Sequence, residues 1–256
     1  MKIPIIESYG LSDIGTIRAN NEDIIAALPS HYFFAIADGM GGHKAGEIAA
    51  KEATDELIAS VMEFLSFKKQ KPFTNDQIVT YLTKAIDKAN KKVFILGKEN
   101  LCFKGMGTTL CCLYLHGEYI TYAHVGDSRV YLFRNNKLIQ LTKDHSLISD
   151  LKASGQMNNN ETIPLSYKNI ITKAIGTNIN IQPSIKVEKY YPKDRFFMCT
   201  DGLSDYLSSE EITYIIKDSY NNKSAIKKLI EAAKNNGSRD NISGLLIEIK
   251  DFTFNE

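Results

Sequence analysis

The sequence predicts an α+β fold, a four-layer α-β-β-α sandwich in which two antiparallel sheets pack together and helices flank them. Strand-like and helix-like segments are grouped along the chain rather than alternating, which argues against a doubly wound parallel sheet. Several strand-like segments are separated by only a few turn residues, and connections this short join antiparallel neighbours. No Pro, Ser or Gly-rich linker divides the chain, so we expect a single domain over residues 1–256.

Apolar segments rich in β-branched and aromatic residues predict the strands. Residues 109–141 contain the turn sequences His-Gly-Glu and Asn-Asn, whose residues accept positive φ, so we predict an antiparallel meander there. In chain order the predicted strands cover residues 32–37, 109–115, 119–125, 129–134, 195–199 and 244–249.

Apolar residues recurring every three or four positions predict the helices. The strongest pattern places Ile78, Leu82 and Ile86 on one face, behind an N-cap at Thr74 or Asn75. Further helices are predicted over residues 44–64, 146–153, 209–216 and 224–234. Two segments look like loops: a basic connector over residues 66–74, and a polar, Asn-rich stretch from residue 155 to about 170 that we expect to form a flap.

Composition restricts the class of partner and the compartment. The 31 basic and 30 acidic residues give a net charge of +1, so neither a nucleic acid nor an anionic membrane is expected as a partner. The amino-terminal apolar stretch is too short for a signal peptide or a membrane span, which favours a cytoplasmic protein, and we expect a monomer. The four cysteines lack zinc spacing and are predicted to be buried thiols.

Four aspartates, Asp38, Asp127, Asp201 and Asp240, border apolar runs, and three of them lie beside glycine. An aspartate at the end of a buried strand, next to a residue that can turn sharply, places a hard oxygen ligand in a cleft. Four such carboxylates would repel one another without cations, and no Cys/His cluster suggests zinc. The pattern therefore predicts a site for two or more Mg²⁺ or Mn²⁺ ions.

Eight motifs together resemble the metal-dependent protein phosphatase family of type 2C, in particular its compact bacterial members. They occur in the order found in that family and span nearly the whole chain. The motifs are SDIGTIRANNED (12–23), ADGMGGHKAGE (37–47), GMGTTL (105–110), VGDSRVY (125–131), TKDHSLI (142–148), ITKAIGT (171–177), CTDGLSDYLSSEEI (199–212) and GSRDNISGLLIEI (237–249).

The resemblance implies a binuclear centre. In it Asp38 bridges both metals, the carbonyl of Gly39 binds one of them, and Asp201 and Asp240 hold the other. Two adjacent divalent cations would activate a water for in-line attack on phosphorus. Arg18 stands where family members grip the substrate phosphate, a role that suits a guanidinium able to form paired hydrogen bonds.

The resemblance also implies supporting residues around these ligands. Glu22 and Asp23 match an acidic pair that orients the surrounding shell, and Asn241 would support Asp240 through hydrogen bonds. Asp127, together with Asp201 and Asp205, would form the third metal site of bacterial relatives, so the chain would hold two or three ions.

The identity of the general acid is open on the sequence. Met40 stands where eukaryotic members place a histidine, and the nearest histidine is His43. His43 titrates in the right range for an acid near neutral pH, but a surface or helix-capping role is an equal alternative. His31, His116, His124 and His145 are predicted to be structural or exposed.

The resemblance implies a Mn²⁺- or Mg²⁺-dependent phosphatase acting on phosphoserine and phosphothreonine in proteins, with a bacterial eukaryotic-type Ser/Thr kinase among its partners. A second hypothesis is a pseudophosphatase that keeps the fold as a binding module, although such proteins usually lose metal ligands. A third is a dedicated phosphatase of an anti-sigma antagonist, a role often accompanied by sensor domains that have no place between motifs beginning at residue 12 and ending near residue 249.

Overall fold

The computed structural model describes residues 2–42, 45–66, 73–157, 167 and 170–254. The strands are β1 Lys2–Asp13, β2 Asp23–Leu28, β3 Phe33–Met40, β4 Gly107–Thr108, β5 Leu110–His116, β6 Tyr119–Val125, β7 Arg129–Arg134, β8 Lys137–Gln140, β9 Ser184–Lys189, β10 Arg195–Cys199 and β11 Ile242–Phe254. The helices are α1 Ala45–Ser66, α2 Asn75–Glu99, α3 Leu147–Ala153, α4 Asp201–Ser204, α5 Ser209–Asp218 and α6 Asn222–Asn235.

These strands form two antiparallel sheets. One has the order β1-β11-β10-β7-β8, and the other has the order β2-β3-β5-β6-β9 with β4 paired to β3. The sheets pack face to face, α1 and α2 cover the second sheet, and α4 to α6 cover the first. The predicted four-layer α+β sandwich is therefore confirmed.

Strand β3 shows how the sequence builds these layers. Phe33 and Ala35 face the helices α1 and α2, whereas Phe34 and Ile36 face the core between the two sheets. All four side chains are fully buried, because this central strand has a packed layer on each side. Successive side chains of β3 point to opposite faces of the sheet, and both faces are buried, so the residues at all four positions are apolar.

The helices begin where the capping residues predict. Thr74 caps α2 by accepting the Gln77 N–H, and the Gln77 side chain accepts the Thr74 N–H in return. Ser208 and Glu211 form the same reciprocal arrangement at the start of α5. Such a box satisfies two backbone donors that would otherwise lack partners, and it fixes the first turn.

The predicted meander over residues 109–141 is wrong in one respect. Strands β5 and β6 form a hairpin in one sheet, but β7 and β8 form a hairpin in the other. The chain crosses between the sheets at Gly126, whose φ of +102° ends the pairing of β6. Turn residues fix each hairpin locally, whereas the second neighbour of β7 is β10, a strand distant in the sequence.

Strands β1, β2, β4 and β9 were not predicted from the sequence. Strand β1 contains Pro4, which the fold tolerates because β1 is the edge of its sheet and pairs only with β11. Strand β11 is correspondingly longer than predicted, since it matches the length of β1.

Two smaller predictions have different outcomes. Cys111, Cys112 and Cys199 are buried as predicted, but Cys102 is exposed, because it lies in the short turn after α2 rather than in a strand. Residues 67–72 of the basic connector, and residues 158–166 and 168–169 of the predicted flap, lie outside the described residues.

Candidate metal centre

Acidic residues from both sheets meet at one end of the sandwich. Asp38 lies near the end of β3, directly opposite Asp23 at the start of β2. From the other sheet, Asp201 begins α4 just after β10, and Asp240 lies just before β11. The side chains of Asp38 and Asp201 are hydrogen-bonded to each other, so the two sheets are joined through their carboxyl groups.

The carboxyl groups strongly perturb one another. Burial, followed by repulsion from Asp23 and Asp201, holds the pKa of Asp38 well above its usual value. Burial also raises the pKa of Asp23 to about 7 and that of Asp201 to about 6, with neighbouring aspartates adding to both shifts. The hydrogen bond between the two side chains adds to the increase in pKa at Asp38 and opposes the increase in pKa at Asp201.

These residues fit divalent cations. Among the described residues, Asp23 Oδ1 and Asp201 Oδ1 are buried oxygens without a hydrogen-bond partner. Buried, unpaired carboxylate oxygens are costly, and a hard cation would satisfy them and remove the repulsion. Within the part of the chain that the structure describes, no three His, Cys, Asp or Glu side chains converge as ligands of one ion. Metal ligation by both side chains would replace the hydrogen bond that joins Asp38 and Asp201.

The backbone around Gly39 is closely packed. A Cβ atom at this position would lie 2.1 Å from the Gly46 carbonyl oxygen and 2.9 Å from that of Glu22. The Gly39 N–H donates to the same Glu22 carbonyl at 3.1 Å. A side chain at Gly39 would therefore push the start of α1 and the segment before β2 away from Asp38.

Hydroxyl groups hold the backbone of Asp38 and the side chain of Asp23. The Asp38 N–H donates to Thr109 Oγ1 at 2.9 Å, and the Asp38 carbonyl accepts from Thr108 Oγ1 at 2.8 Å. Thr200 Oγ1 donates to Asp23 Oδ2 at 2.9 Å. The aspartates thus extend from a rigid framework. All three threonines lie in the quoted motifs, but no role was predicted for them.

Asn241 connects Asp240 with the segment that carries Arg18. Its side-chain oxygen accepts the Glu22 N–H at 2.8 Å, and its side-chain nitrogen donates to the carbonyls of Ile14 and Asn20, each at 2.9 Å. The Asn241 N–H donates to Asp240 Oδ1 at 2.8 Å. Asn241 therefore contacts Asp240 through its backbone, while its side chain holds the loop between β1 and β2.

Arg18 is paired with one of the predicted metal ligands. Its Nη2 lies 2.8 Å from Asp240 Oδ2, and both side chains are partly exposed. Glu22 lies nearby, and its carboxylate packs against Gly46, where a Cβ atom would lie 2.5 Å from Glu22 Oε2. Burial is the main cause of the raised pKa of Glu22, and Arg18 opposes that shift.

The predicted third site is adjacent to this cluster. Burial raises the pKa of Asp127 to about 7, with further contributions from Asp201, Asp144 and Asp205. Asp205 is 3.9 Å from Arg129, which forms a two-pronged ion pair with Asp144 at 2.7 to 3.1 Å. Asp144 belongs to the TKDHS sequence, but its role as the partner of Arg129 was not predicted.

Four of the five histidines belong to the described residues. His43, the candidate general acid, lies outside the described residues. His124 and His145 are buried and stack with ring centroids 4.5 Å apart, whereas His116 bonds to Thr121 and stacks between two tyrosines. The prediction that these three histidines are structural agrees with these contacts, and His31 contacts Ser30 at the surface.

The family model of protein phosphatase 2C matches residues 18–246 of the chain. The chain belongs to this family. It is 32% identical over 240 residues to the serine/threonine phosphatase stp of Listeria welshimeri, covering 93% of each chain. It is consequently a protein serine/threonine phosphatase, as the sequence motifs predict.

Solved structures of related phosphatases have the same fold. The structure of the S. agalactiae serine/threonine phosphatase matches with a TM-score of 0.87 and 31% identity. The match covers 96% of this chain and 100% of the S. agalactiae chain. The catalytic domain of the phosphatase PstP, solved with 2 manganese ions, matches with a TM-score of 0.82 and 29% identity, covering 96% of this chain and 99% of that one. Among the described residues, no helix is both long enough and apolar enough to cross a bilayer.

Proposed function

We propose that this phosphatase hydrolyses phosphoserine and phosphothreonine in proteins, using two Mn²⁺ or Mg²⁺ ions at the end of the sandwich. The observation that carries the proposal is the group of Asp23, Asp38 and Asp201, whose pKa values are raised by burial and by one another. Divalent cations would neutralise these carboxylates and remove the repulsion between them. The manganese ions bound by PstP support the choice of metal.

The residues divide into metal ligands and supporting groups. Asp38, the Gly39 carbonyl, Asp201 and Asp240 would hold the two ions, and Asp127 with Asp205 would add a third beside Asp201. When bound, the ions would supply an activated water and offset the charge of the phosphoryl oxygens. Asp23, Glu22 and Asn241 would keep these ligands in position through the hydrogen bonds and packing described above.

Arg18 would bind the phosphate of the substrate. Its guanidinium is half-exposed at the edge of the cluster, so a phosphate entering from solvent can reach its N–H donors. His43 remains the candidate for protonating the leaving serine or threonine oxygen. Neither step requires a phosphorylated enzyme intermediate, since the nucleophile is water.

We further infer a biological setting for this reaction. The chain would act as one catalytic domain, as a cytoplasmic monomer, and its phosphoprotein substrates would include a Ser/Thr kinase and the substrates of that kinase. The near-neutral net charge of +1 fits protein substrates of varied composition rather than a polyanion.

Phosphate release from a phosphothreonine peptide, with Mn²⁺ titrated into chelator-treated protein, tests the proposal. Wild-type activity should rise with Mn²⁺, and Asp201→Ala should lower it by more than about 100-fold because a ligand is lost. Asp218→Ala is the matched control, since Asp218 is 60% exposed on α5 and pairs only loosely with Lys228 at 3.6 Å. Failure of the wild type to release phosphate at any metal concentration would favour the pseudophosphatase instead. Undiminished activity of Asp201→Ala would contradict the ligand assignment.

A further inference from the structure

A cavity of about 400 Å³ lies beside the candidate metal centre and has no role in the reaction described above. Its walls are the carboxyl-terminal end of α2, the turn that follows, and the residues around 105 and 176. Its apolar lining includes Phe94, Leu101 and Met106. Leu101 is 87% exposed, so this cavity has an apolar rim open to solvent.

The charged groups of the cavity have one sign. The charged side chains among its described lining residues are Lys98 and Lys104. Lys98 Nζ lies 5.0 Å from the centre of the Phe94 ring, which keeps its stem along the apolar wall and its ammonium at the rim. An apolar floor with two cations at its rim is complementary to an aliphatic side chain accompanied by carboxylates.

The cavity is physically connected to the metal centre. Gly107 and Thr108 of β4 pair with Met40 and Gly39 of β3, and Thr108 exchanges both backbone hydrogen bonds with Ile175. A Cβ atom on Gly107 would lie 2.9 Å from Met40 Cε. Two of the segments that line the cavity, those around Met106 and Gly176, therefore continue directly into the residues that pair beside Asp38 and Gly39.

The separation suits a peptide. Met106 precedes Thr108 by two strand residues, a rise of about 7 Å, and paired strands lie about 5 Å apart. The cavity thus begins on the order of 10 Å from Asp38, a distance that about three residues of an extended peptide span. A phosphorylated residue at the metal centre would place side chains a few positions away at this cavity.

From these observations we propose that the cavity is a docking site for the substrate polypeptide. It binds a leucine-like side chain flanked by Asp or Glu, located three to five residues from the phosphorylated serine or threonine. This inference depends on the proposed function, because the docking site would specify which phosphoproteins the phosphatase selects. Docking of this kind lowers KM more than it raises kcat, since the cavity does not touch the reacting atoms.

The test compares phosphothreonine peptides and one small substrate. The acidic peptide carries leucine and two glutamates three to five residues from the phosphothreonine, and separate versions place them before or after it. At the same positions the neutral peptide carries serine and glutamines. The lysine peptide carries leucine and lysines there. We expect kcat/KM for one acidic version to exceed that of the neutral peptide about five- to tenfold, chiefly through KM. The double variant Lys98→Glu/Lys104→Glu should reverse the preference towards the lysine peptide. All forms should hydrolyse p-nitrophenyl phosphate equally, because it is too short to reach the cavity.

A control with the same change of charge separates docking from a general electrostatic effect. Lys137 and Lys227 are exposed on β8 and α6, in the other sheet and its helical layer. Lys137→Glu/Lys227→Glu should keep the wild-type preference. Equal kcat/KM for the three kinds of peptide in the wild type, with normal hydrolysis of p-nitrophenyl phosphate, would overturn the docking site alone. Absence of all hydrolysis with Mn²⁺ would instead overturn the proposed function.

Discussion

Replacing Arg18 by alanine should tighten Mn²⁺ binding while it weakens phosphate binding. Asp240 has both carboxylate oxygens occupied, one by Arg18 Nη2 at 2.8 Å and the other by the Asn241 N–H at 2.8 Å. To act as a metal ligand, Asp240 must give up the guanidinium. Arg18→Ala removes this competition, and it also removes a positive charge that interacts with Glu22 and Asp38.

The magnitude follows from the exposure of the pair. The side chains of Arg18 and Asp240 are 49% and 31% exposed, and ion pairs of this kind contribute about 0.2 to 1 kcal/mol. Since about 1.4 kcal/mol corresponds to a tenfold change, the Kd for Mn²⁺ should fall about 1.5- to 5-fold. Lost repulsion between Arg18 and the cations acts in the same direction. Salt should reduce the difference, because the Debye length is about 10 Å at 0.1 M.

Isothermal titration calorimetry on chelator-treated protein measures this difference directly. Arg239→Ala is the matched control, because Arg239 is exposed, precedes Asp240 in the chain and forms no ion pair with any described residue. Inhibition of peptide hydrolysis by inorganic phosphate gives the second readout, and it should weaken in Arg18→Ala alone. Weaker Mn²⁺ binding by Arg18→Ala than by the wild type would refute the competition.

Two further predictions concern stability and are measured by urea unfolding. Gly202→Ala should lower the free energy of unfolding by about 1 to 3 kcal/mol through overpacking, because its Cβ would lie 1.9 Å from the Asn241 carbonyl oxygen. The control Gly42→Ala should leave it nearly unchanged, because a Cβ at Gly42 meets nothing within 4 Å. For His145, burial and the nearby His124 lower the pKa from 6.5 to about 4, so the unfolded state binds the proton more readily. The contribution of His145 to the free energy of unfolding is therefore fully present above the unfolded pKa. It falls by about 2 kcal/mol between about pH 7.5 and about pH 5. His145→Gln should flatten that slope, and an equally steep slope in the variant would assign it to other groups.

The parts of the fold that the sequence predicts are those fixed by local pattern. Residues 119–125, 129–134 and 195–199 were predicted as strands and are strands with the same limits, because apolar side chains fill both faces and polar residues end them. Strand β1 escapes such reasoning, since Pro4 and Glu7 interrupt its apolar pattern and its stability comes from pairing with β11 at the other end of the chain. Strand β9 had a readable signal in Ile185 and Val187, which alternate with charged residues.

The candidate site shows a similar division. The motifs predict which aspartates gather, because Asp38, Asp127 and Asp201 lie at or just after the ends of apolar strands and Asp240 lies just before one. The motifs do not predict which partner each side chain takes, since the Arg18–Asp240 and Arg129–Asp144 pairs join segments far apart in the sequence. The hydrogen bonds of the Asn241 side chain could not be predicted for the same reason. They join it to Ile14, Asn20 and Glu22, which lie far from Asn241 in the sequence and near it only in the fold.

The arrangement around Asp240 implies an order of events. Thr108 and Thr109 hold the backbone of Asp38 through hydrogen bonds. The position of the Asp38 backbone therefore does not depend on what its carboxylate binds. Asp240, by contrast, is paired with Arg18, the guanidinium proposed to bind the phosphate. The guanidinium cannot offer its full set of donors to a phosphate while it is paired with Asp240. Occupation of Asp240 by a cation would release Arg18, and a phosphate held by Arg18 would in turn leave Asp240 available. By thermodynamic linkage each of these bindings must then favour the other.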